Sequence, residues 1–324
     1  MATASEDGRM QAMLRAAQLY YLQDQTMEAI AADLGRSRSS VSRLLARARE
    51  TGVVEIRLNS PLASRTTLEG ELGQRYGVAA HVVPVSGPIS DVDRLDRVAT
   101  MAARLLIRFF DSNMTMGVAW GSTTSAISRH LVPHETHNSV IVQMNGAGNL
   151  KTTGIEYAGE ILQRFASAFS AQVEHFPVPA FFDDPLTRDA LWRERGTRRV
   201  LGIQTRMDVA LFGLGSPYSS VPSYVYIGGY LDEKDYRSLR QQHVAGDVAT
   251  VFYRRDGTHR DITLNARASG MGLDRLQHIA RRIAVVSGLA KRDAVLGALA
   301  AGLVTDLVLD EDLARALLVV GRHG

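Results

Sequence analysis

Apolar positions in the first fifty residues recur at helical spacing. Met10, Met13, Leu14, Ala17 and Tyr21 stand at i, i+3, i+4, i+7 and i+11, which predicts an amphipathic helix ending near Gln23-Asp24-Gln25. Met27, Ile30, Ala31 and Leu34 carry a second stripe, with Thr26 as its N-cap and Gly35 as its stop. A third helix follows the cap Ser37 and buries Val41, Leu44, Leu45 and Ala48. Three short helices with one tight glycine turn form the pattern of a helix-turn-helix. Thr51-Gly52 then reads as a turn, and Val53-Val54-Glu55-Ile56-Arg57-Leu58 as a β-like wing.

The Ser- and Pro-containing stretch Asn59 to Thr67 reads as a linker. Beyond it Leu68, Leu72 and Tyr76 mark a short helix, and the periods alternate. Strands are predicted at 81–85, 114–119, 140–144, 207–213, 283–286 and 306–309. Helices are predicted at 91–110 with Ser90 as cap, after Gly121, and at 155–169, 232–242, 291–300 and 311–319. Asp247 to Arg254 and Arg260 to Leu264 read as a β-hairpin closed by Asp256-Gly257. Alternating strands and helices predict an α/β fold, a mostly parallel sheet covered on both faces, with ligands beyond the carboxyl ends of the strands.

Composition narrows the chemistry. With 324 residues the chain has length for about two domains. It has no Cys, which removes disulfides, thiolate metal sites and Cys nucleophiles. The start, Met1 to Gly8, lacks the basic end and apolar stretch of a secretory signal, and the most apolar uncharged run, Ala294 to Thr305, is too short to span a bilayer. These features lead us to expect a cytoplasmic protein without a membrane partner.

A net charge of +3 names no partner, but its placement does. Six Arg fall between Arg36 and Arg57 against Glu50 and Glu55. At 100° per residue, Ser39, Arg43 and Ala46 lie opposite the apolar stripe of the third helix, with Ser40 and Arg47 on its flank. A small, hydroxylic, basic face suits a major groove, where Arg reads guanine and Ser reads bases or phosphates. The candidate DNA-binding residues are therefore Arg36, Arg38, Ser39, Ser40, Ser42, Arg43 and Arg47.

In the second part, chemistry gathers at strand ends. The strand at 114–119 runs into Trp120-Gly121-Ser122-Thr123-Thr124 and a helix, where free amides and hydroxyls favour an anion. No Gly-Lys-Ser/Thr follows, so this is not a Walker loop. Asn145-Gly146-Ala147-Gly148 and Gly213-Leu214-Gly215-Ser216 end two further strands, and their glycines would let backbone approach one shared ligand. Lys291 begins a helix after Ser287-Gly288, where a pocket would want a cation. Three other features are set aside. Pro133 interrupts the helix that would align His130, His134 and His137 on a metal. Asp183-Asp184 before Pro185 fits a helix start. The Gly-Ala-Gly of 146–148 is too short a dinucleotide fingerprint. No cofactor or metal is expected.

Taken together, Ala16-Ala17-Gln18-Leu19-Tyr20-Tyr21, Ile30-Ala31-Ala32-Asp33-Leu34-Gly35-Arg36-Ser37-Arg38, Val41-Ser42-Arg43-Leu44-Leu45 and Gly52-Val53-Val54-Glu55-Ile56 resemble the SorC (SorC/DeoR-type) family of bacterial sugar-responsive transcriptional regulators. Trp120-Gly121-Ser122-Thr123, Asp208 to Gly215, Gly246-Asp247, Asn265-Ala266-Arg267, and Lys291 with Leu299 to Leu309 extend the resemblance along nearly the whole chain.

The resemblance implies a winged helix-turn-helix at 1–58, a linker at 59–67, and an effector-binding and oligomerisation domain at 68–324. That domain would be similar to glucosamine-6-phosphate deaminase and ribose-5-phosphate isomerase. The implied partners are operator DNA, a sugar phosphate or polyol effector, and further copies of the chain in a dimer or tetramer. By the same resemblance Gly121, Ser122 and Thr123 form a phosphate loop, and Asn145 and Gly146 a second effector loop. Asp247 would hold sugar hydroxyls, Lys291 would lie on the effector's far side, and Glu156 would match by distance alone. No Arg stands near Asn145-Gly146, unlike in members that bind a bisphosphate, which favours a monophosphate or an uncharged polyol. With Gly213 and Gly215 these complete the candidate effector residues. The alternatives are a sugar-phosphate isomerase or deaminase carrying a DNA-binding domain, for which the glycine loops show no compact acid/base set, and a constitutive DNA-binding protein.

Overall fold

The structure, a computed structural model, describes residues 3–21, 23, 25–54, 61–85, 87, 89–217 and 223–319. The chain divides into two compact units, Met1–Ser60 and Pro61–Gly324.

The first unit holds three helices, α1 (Thr3–Tyr21), α2 (Met27–Asp33) and α3 (Arg38–Glu50). Local chemistry sets their starts. Thr26 Oγ1 accepts the Ala29 N–H at 3.3 Å, Ser37 Oγ accepts the Ser40 N–H at 3.2 Å, and Gly35 turns between them at φ +59°. Met13, Ala16, Ala17 and Leu19 of α1 pack on Ile30, Val41, Leu45 and Ala48. Met10 and Leu14 correct the stripe read from spacing: they are 52 % and 47 % exposed, because α1 packs through its Met13/Ala16/Ala17 side. Val53 and Val54 form a bend, and the wing reading at Glu55 to Leu58 lies outside the described residues.

The second unit runs α4 (Pro61–Tyr76), β1 (Ala79–Val83), α5 (Asp91–Leu106), β2 (Thr115–Val118), α6 (Ser122–Ser128), β3 (Val140–Gln143), α7 (Ile155–Phe169), β4 (Gln172–Glu174), α8 (Pro185–Leu191), α9 (Arg195–Gln204), β5 (Val209–Gly213), α10 (Tyr224–Ile227), α11 (Glu233–Gln241), β6 (Val244–Val248), β7 (Val251–Arg254), α12 (Leu273–Leu276), β8 (Arg281–Val286), α13 (Arg292–Ala300), β9 (Asp306–Asp310) and α14 (Glu311–Val319). Residues 61–67, read as linker, open α4; Asn59 and Ser60 lie outside the described residues.

Seven parallel strands form one sheet in the order β1-β9-β8-β5-β2-β3-β4. Side chains alternate between its faces: Val209 and Leu211 of β5 enter one core with Val118 and Ile283, while Ala210 and Phe212 enter the other with Val142 and Leu307. The connections after β2 and β5 diverge, β2 leading to β3 on one side and β5 to β8 on the other. The carboxyl ends of this adjacent pair are thus the topological switch point, where an open α/β sheet leaves a crevice.

One reading is overturned. The hairpin is β6 with β7, and its turn is Ala249-Thr250, both at positive φ (+48° and +72°); Asp256-Gly257 is a later turn, and Thr263–Ala266 is a 3-10 helix rather than a strand. Better turn chemistry lay at Asp-Gly, but β6 must end beside the sheet, where Asp247 pairs with Gly215.

Candidate functional site

A small cleft opens at the switch point, lined by residues 119–124 after β2, Asn145 after β3, Gly213 to Gly215 at the end of β5, Ser223 to Val225, and Asp247, Ala249 and Thr250 of the hairpin. The structure thereby brings together Gly121, Ser122, Thr123, Asn145, Gly213, Gly215 and Asp247. Gly146 and Lys291 are buried beside the cleft without lining it. Glu156 is exposed on the first turn of α7, outside the lining.

Three of the glycines are required by packing within the protein. A Cβ on Gly213 would fall 2.8 Å from Thr123 Oγ1, and one on Gly215 would fall 1.8 Å from Asp247 Oδ1. On Gly146 it would meet the Val178 carbonyl oxygen at 2.2 Å. At these three positions the missing side chain makes room for neighbouring side chains and backbone.

Asp247 reaches the cleft because Gly215 and Asp247 exchange backbone bonds, N–H to O at 2.9 and 3.2 Å. Its carboxylate accepts the Tyr226 hydroxyl at 3.0 Å and the Thr250 N–H at 3.3 Å. Burial pushes Asp247 up to about 6, against the lowering pull of Tyr226, Thr250 and Lys291. Burial pulls Lys291 down to about 8, opposed by the Asp247 charge.

Asn145 stands opposite. Trp120 Nε1 donates to the carbonyls of Gly146 at 2.8 Å and Asn145 at 3.2 Å, and Gln143 Nε2 donates to the Asn145 carbonyl at 2.7 Å. This locks the loop while leaving the buried Asn145 Oδ1 without a hydrogen-bond partner in the described structure, a cost that a ligand can relieve. Trp120 also stacks on Tyr230 at 5.1 Å, and Tyr157 on Tyr224 at 4.9 Å. Burial pushes Tyr157 up to about 12. The candidate list from the sequence omits Trp120, Tyr224, Tyr226 and Thr250. One signal was available: five of the ten tyrosines fall between Tyr218 and Tyr236.

Arg36, in the turn before α3, and Arg38, Ser39, Ser42, Arg43 and Arg47 on it are exposed, and Ser40 is half-buried. Arg43 Nε donates to the Ser39 carbonyl at 3.3 Å, and Arg38 pairs with Glu28 at 3.0 Å. The features set aside above are structural: His130 contacts Asp96 at 2.7 Å, His134 packs on Phe169, and Asp184 caps α8 through the Leu186 N–H at 3.1 Å. Among the described residues no helix is long and apolar enough to cross a membrane.

Residues 60–319 match the family described as "Putative sugar-binding domain". The chain is 30 % identical over 312 residues to the deoxyribonucleoside regulator of Bacillus subtilis (strain 168), covering 96 % of this chain and 98 % of that protein. It is similar to the full-length sorbitol operon regulator SorC from Klebsiella pneumoniae, with a TM-score of 0.71, 26 % identity and coverage of 96 % and 99 %. A domain described as that of a "possible sugar-binding transcriptional regulator" from Arthrobacter aurescens TC1 is 53 % identical, with a TM-score of 0.75 over 80 % of this chain and 99 % of that one.

Proposed function

Since this chain belongs to the sugar-binding-domain family of SorC-type transcriptional regulators, we propose that it is a DNA-binding regulator of carbohydrate or polyol metabolism. In this reading a sugar phosphate or polyol in the switch-point cleft controls its operator binding. The observation that carries the reading is the wall of the cleft: amides and hydroxyls at Gly121 to Thr124, the unpartnered Asn145 Oδ1 and the Asp247 carboxylate suit a hydroxyl-rich ligand. No Lys or Arg is among the lining residues, which disfavours a bisphosphate.

The α2-turn-α3 segment serves as a helix-turn-helix. Arg43 reads base edges, and Arg36, Arg38, Ser39, Ser40, Ser42 and Arg47 hold bases or phosphates. The exposed Arg38–Glu28 pair contributes little and yields readily to a phosphate. A dimer or tetramer would place two such helices on adjacent half-sites. The larger unit takes the fold of glucosamine-6-phosphate deaminase and ribose-5-phosphate isomerase without their catalysis: among the described lining residues the one carboxylate is held by Tyr226 and Thr250, and there is no His.

Operator affinity measured with and without sorbitol, 2-deoxyribose and their monophosphates tests this function. A change of tenfold or more with one of them is expected, and no change with any overturns the effector role. Replacing Arg43 with Ala is expected to cost about 1–3 kcal/mol of operator binding and to relax preference at one base position. A footprint and affinity identical to wild type would remove Arg43 as a base reader.

A further inference from the structure

Asp247 sits 4 % exposed at the end of β6, and a carboxylate so buried needs fixed donors to stay ionised and aimed. One of those donors comes from an element that also lines the cleft. The short helix α10 follows Ser223, whose neighbours Tyr224 and Val225 line the cleft, and the next residue, Tyr226, turns inward, 7 % exposed, to donate its hydroxyl to Asp247 Oδ1 at 3.0 Å. The carbonyl of Tyr226 in turn accepts the hydroxyl of Tyr236 on α11. The opposite oxygen, Oδ2, receives a longer bond from the Thr250 N–H, inside a turn whose two residues both take positive φ.

We propose that Tyr226 is the positioning residue of the effector site: it fixes Oδ1 of Asp247, keeps the carboxylate ionised, and leaves Oδ2 as the acceptor offered to a ligand hydroxyl. This rests on the reading of the cleft as the effector site. The strained Ala249-Thr250 turn then has a reason, since it delivers the second donor to the same carboxylate.

The groups facing Asp247 are Tyr226 from α10, Tyr253 from β7, and Lys291 from the turn before α13. Burial holds both tyrosines far above neutrality, so they stay protonated donors. Between about pH 6 and 8 the carboxylate and ammonium are both charged. Affinity for a hydroxyl donor falls on acidification as Asp247 takes up a proton.

Removing the Tyr226 hydroxyl withdraws a donor from the ionised form only, so it moves that limb towards higher pH. A residue that merely fills space would lower affinity equally at every pH.

The carboxyl of Asp247 in the full-length, ligand-free protein is followed by carbon NMR against pH, with Asp247→Asn to assign its signal. Tyr226→Phe is expected to raise the midpoint by about one pH unit. In the same variant, affinity for sorbitol or 2-deoxyribose, which do not themselves titrate, is expected to fall about tenfold at pH 7, with its acid limb displaced equally. An unchanged midpoint in Tyr226→Phe overturns the proposal. Should that variant not fold, Tyr236→Phe, which frees the Tyr226 carbonyl without touching Asp247, is expected to give a smaller upward displacement, and none overturns it. If wild type binds neither these sugars nor their monophosphates, the effector reading fails, and the ligand-free titration still decides the role of Tyr226.

Discussion

Replacing Gly215 with Ala is expected to abolish the effector response and to lower stability by about 1–3 kcal/mol. The new methyl would fall 1.8 Å from Oδ1 and 2.7 Å from Cγ of Asp247, far inside contact distance. Neither partner can retreat. The backbones of residues 215 and 247 are bonded to each other, and the carboxylate is held by Tyr226 and Thr250. The hairpin must therefore move away from β5 or the side chain must leave its donors, and in both cases the cleft loses its only carboxylate among the lining residues. Thermal unfolding and operator binding with the ligand panel check this. Wild-type melting together with a wild-type response would refute the packing argument. Gly202→Ala is the control: within helix α9 nothing lies near its Cβ position, and the change is expected to stabilise by roughly 0.5–1 kcal/mol.

Asp310 carries the second large effect. Fully buried at the end of β9, it accepts Arg94 Nη1 from α5 at 2.8 Å, the Gly288 N–H at 2.7 Å and the Leu313 N–H in the first turn of α14 at 3.2 Å. Alanine would strand two backbone donors and remove the buried partner of Arg94, leaving that guanidinium to the half-exposed Asp312. Breaking a buried pair in this way costs about 3–5 kcal/mol, which lowers the melting temperature by on the order of 10 °C. Gly288 also accepts the Lys291 N–H at 3.1 Å, so the loop that sets Lys291 loosens with it. A loss of under a few degrees would mean that α5, β8, β9 and α14 are not tied together through this carboxylate.

Much of this protein was legible along the chain. Thr26, Ser37 and Ser90 cap the helices they were predicted to cap, and Asp184 caps α8, because an N-cap is satisfied within three residues. The parallel sheet followed from the alternation of periods, and the loops after β2, β3 and β5 drew attention because hydroxyls, amides and glycines stand together there. The hairpin was misplaced because Asp256-Gly257 satisfies turn chemistry by itself, whereas Ala249-Thr250 turns only through the donors around Asp247. Met10 and Leu14 kept helical spacing yet stayed exposed, since periodicity marks an apolar stripe but not which part of it a neighbour covers.

By itself, then, the sequence determined the elements whose forces act within a few residues: caps, helical and strand periods, the basic outward face of α3, and the strand ends at which a ligand could bind. Tertiary structure alone decided who meets whom. Gly215 faces Asp247, Gly213 faces Thr123 and Tyr226 grips Asp247, through contacts 21 to 90 residues apart in the chain, of which the longest joins positions 123 and 213. Burial there moves Asp247 up and Lys291 down, because desolvation depends on the packing of distant segments and on nothing in the residues' own neighbourhood along the chain.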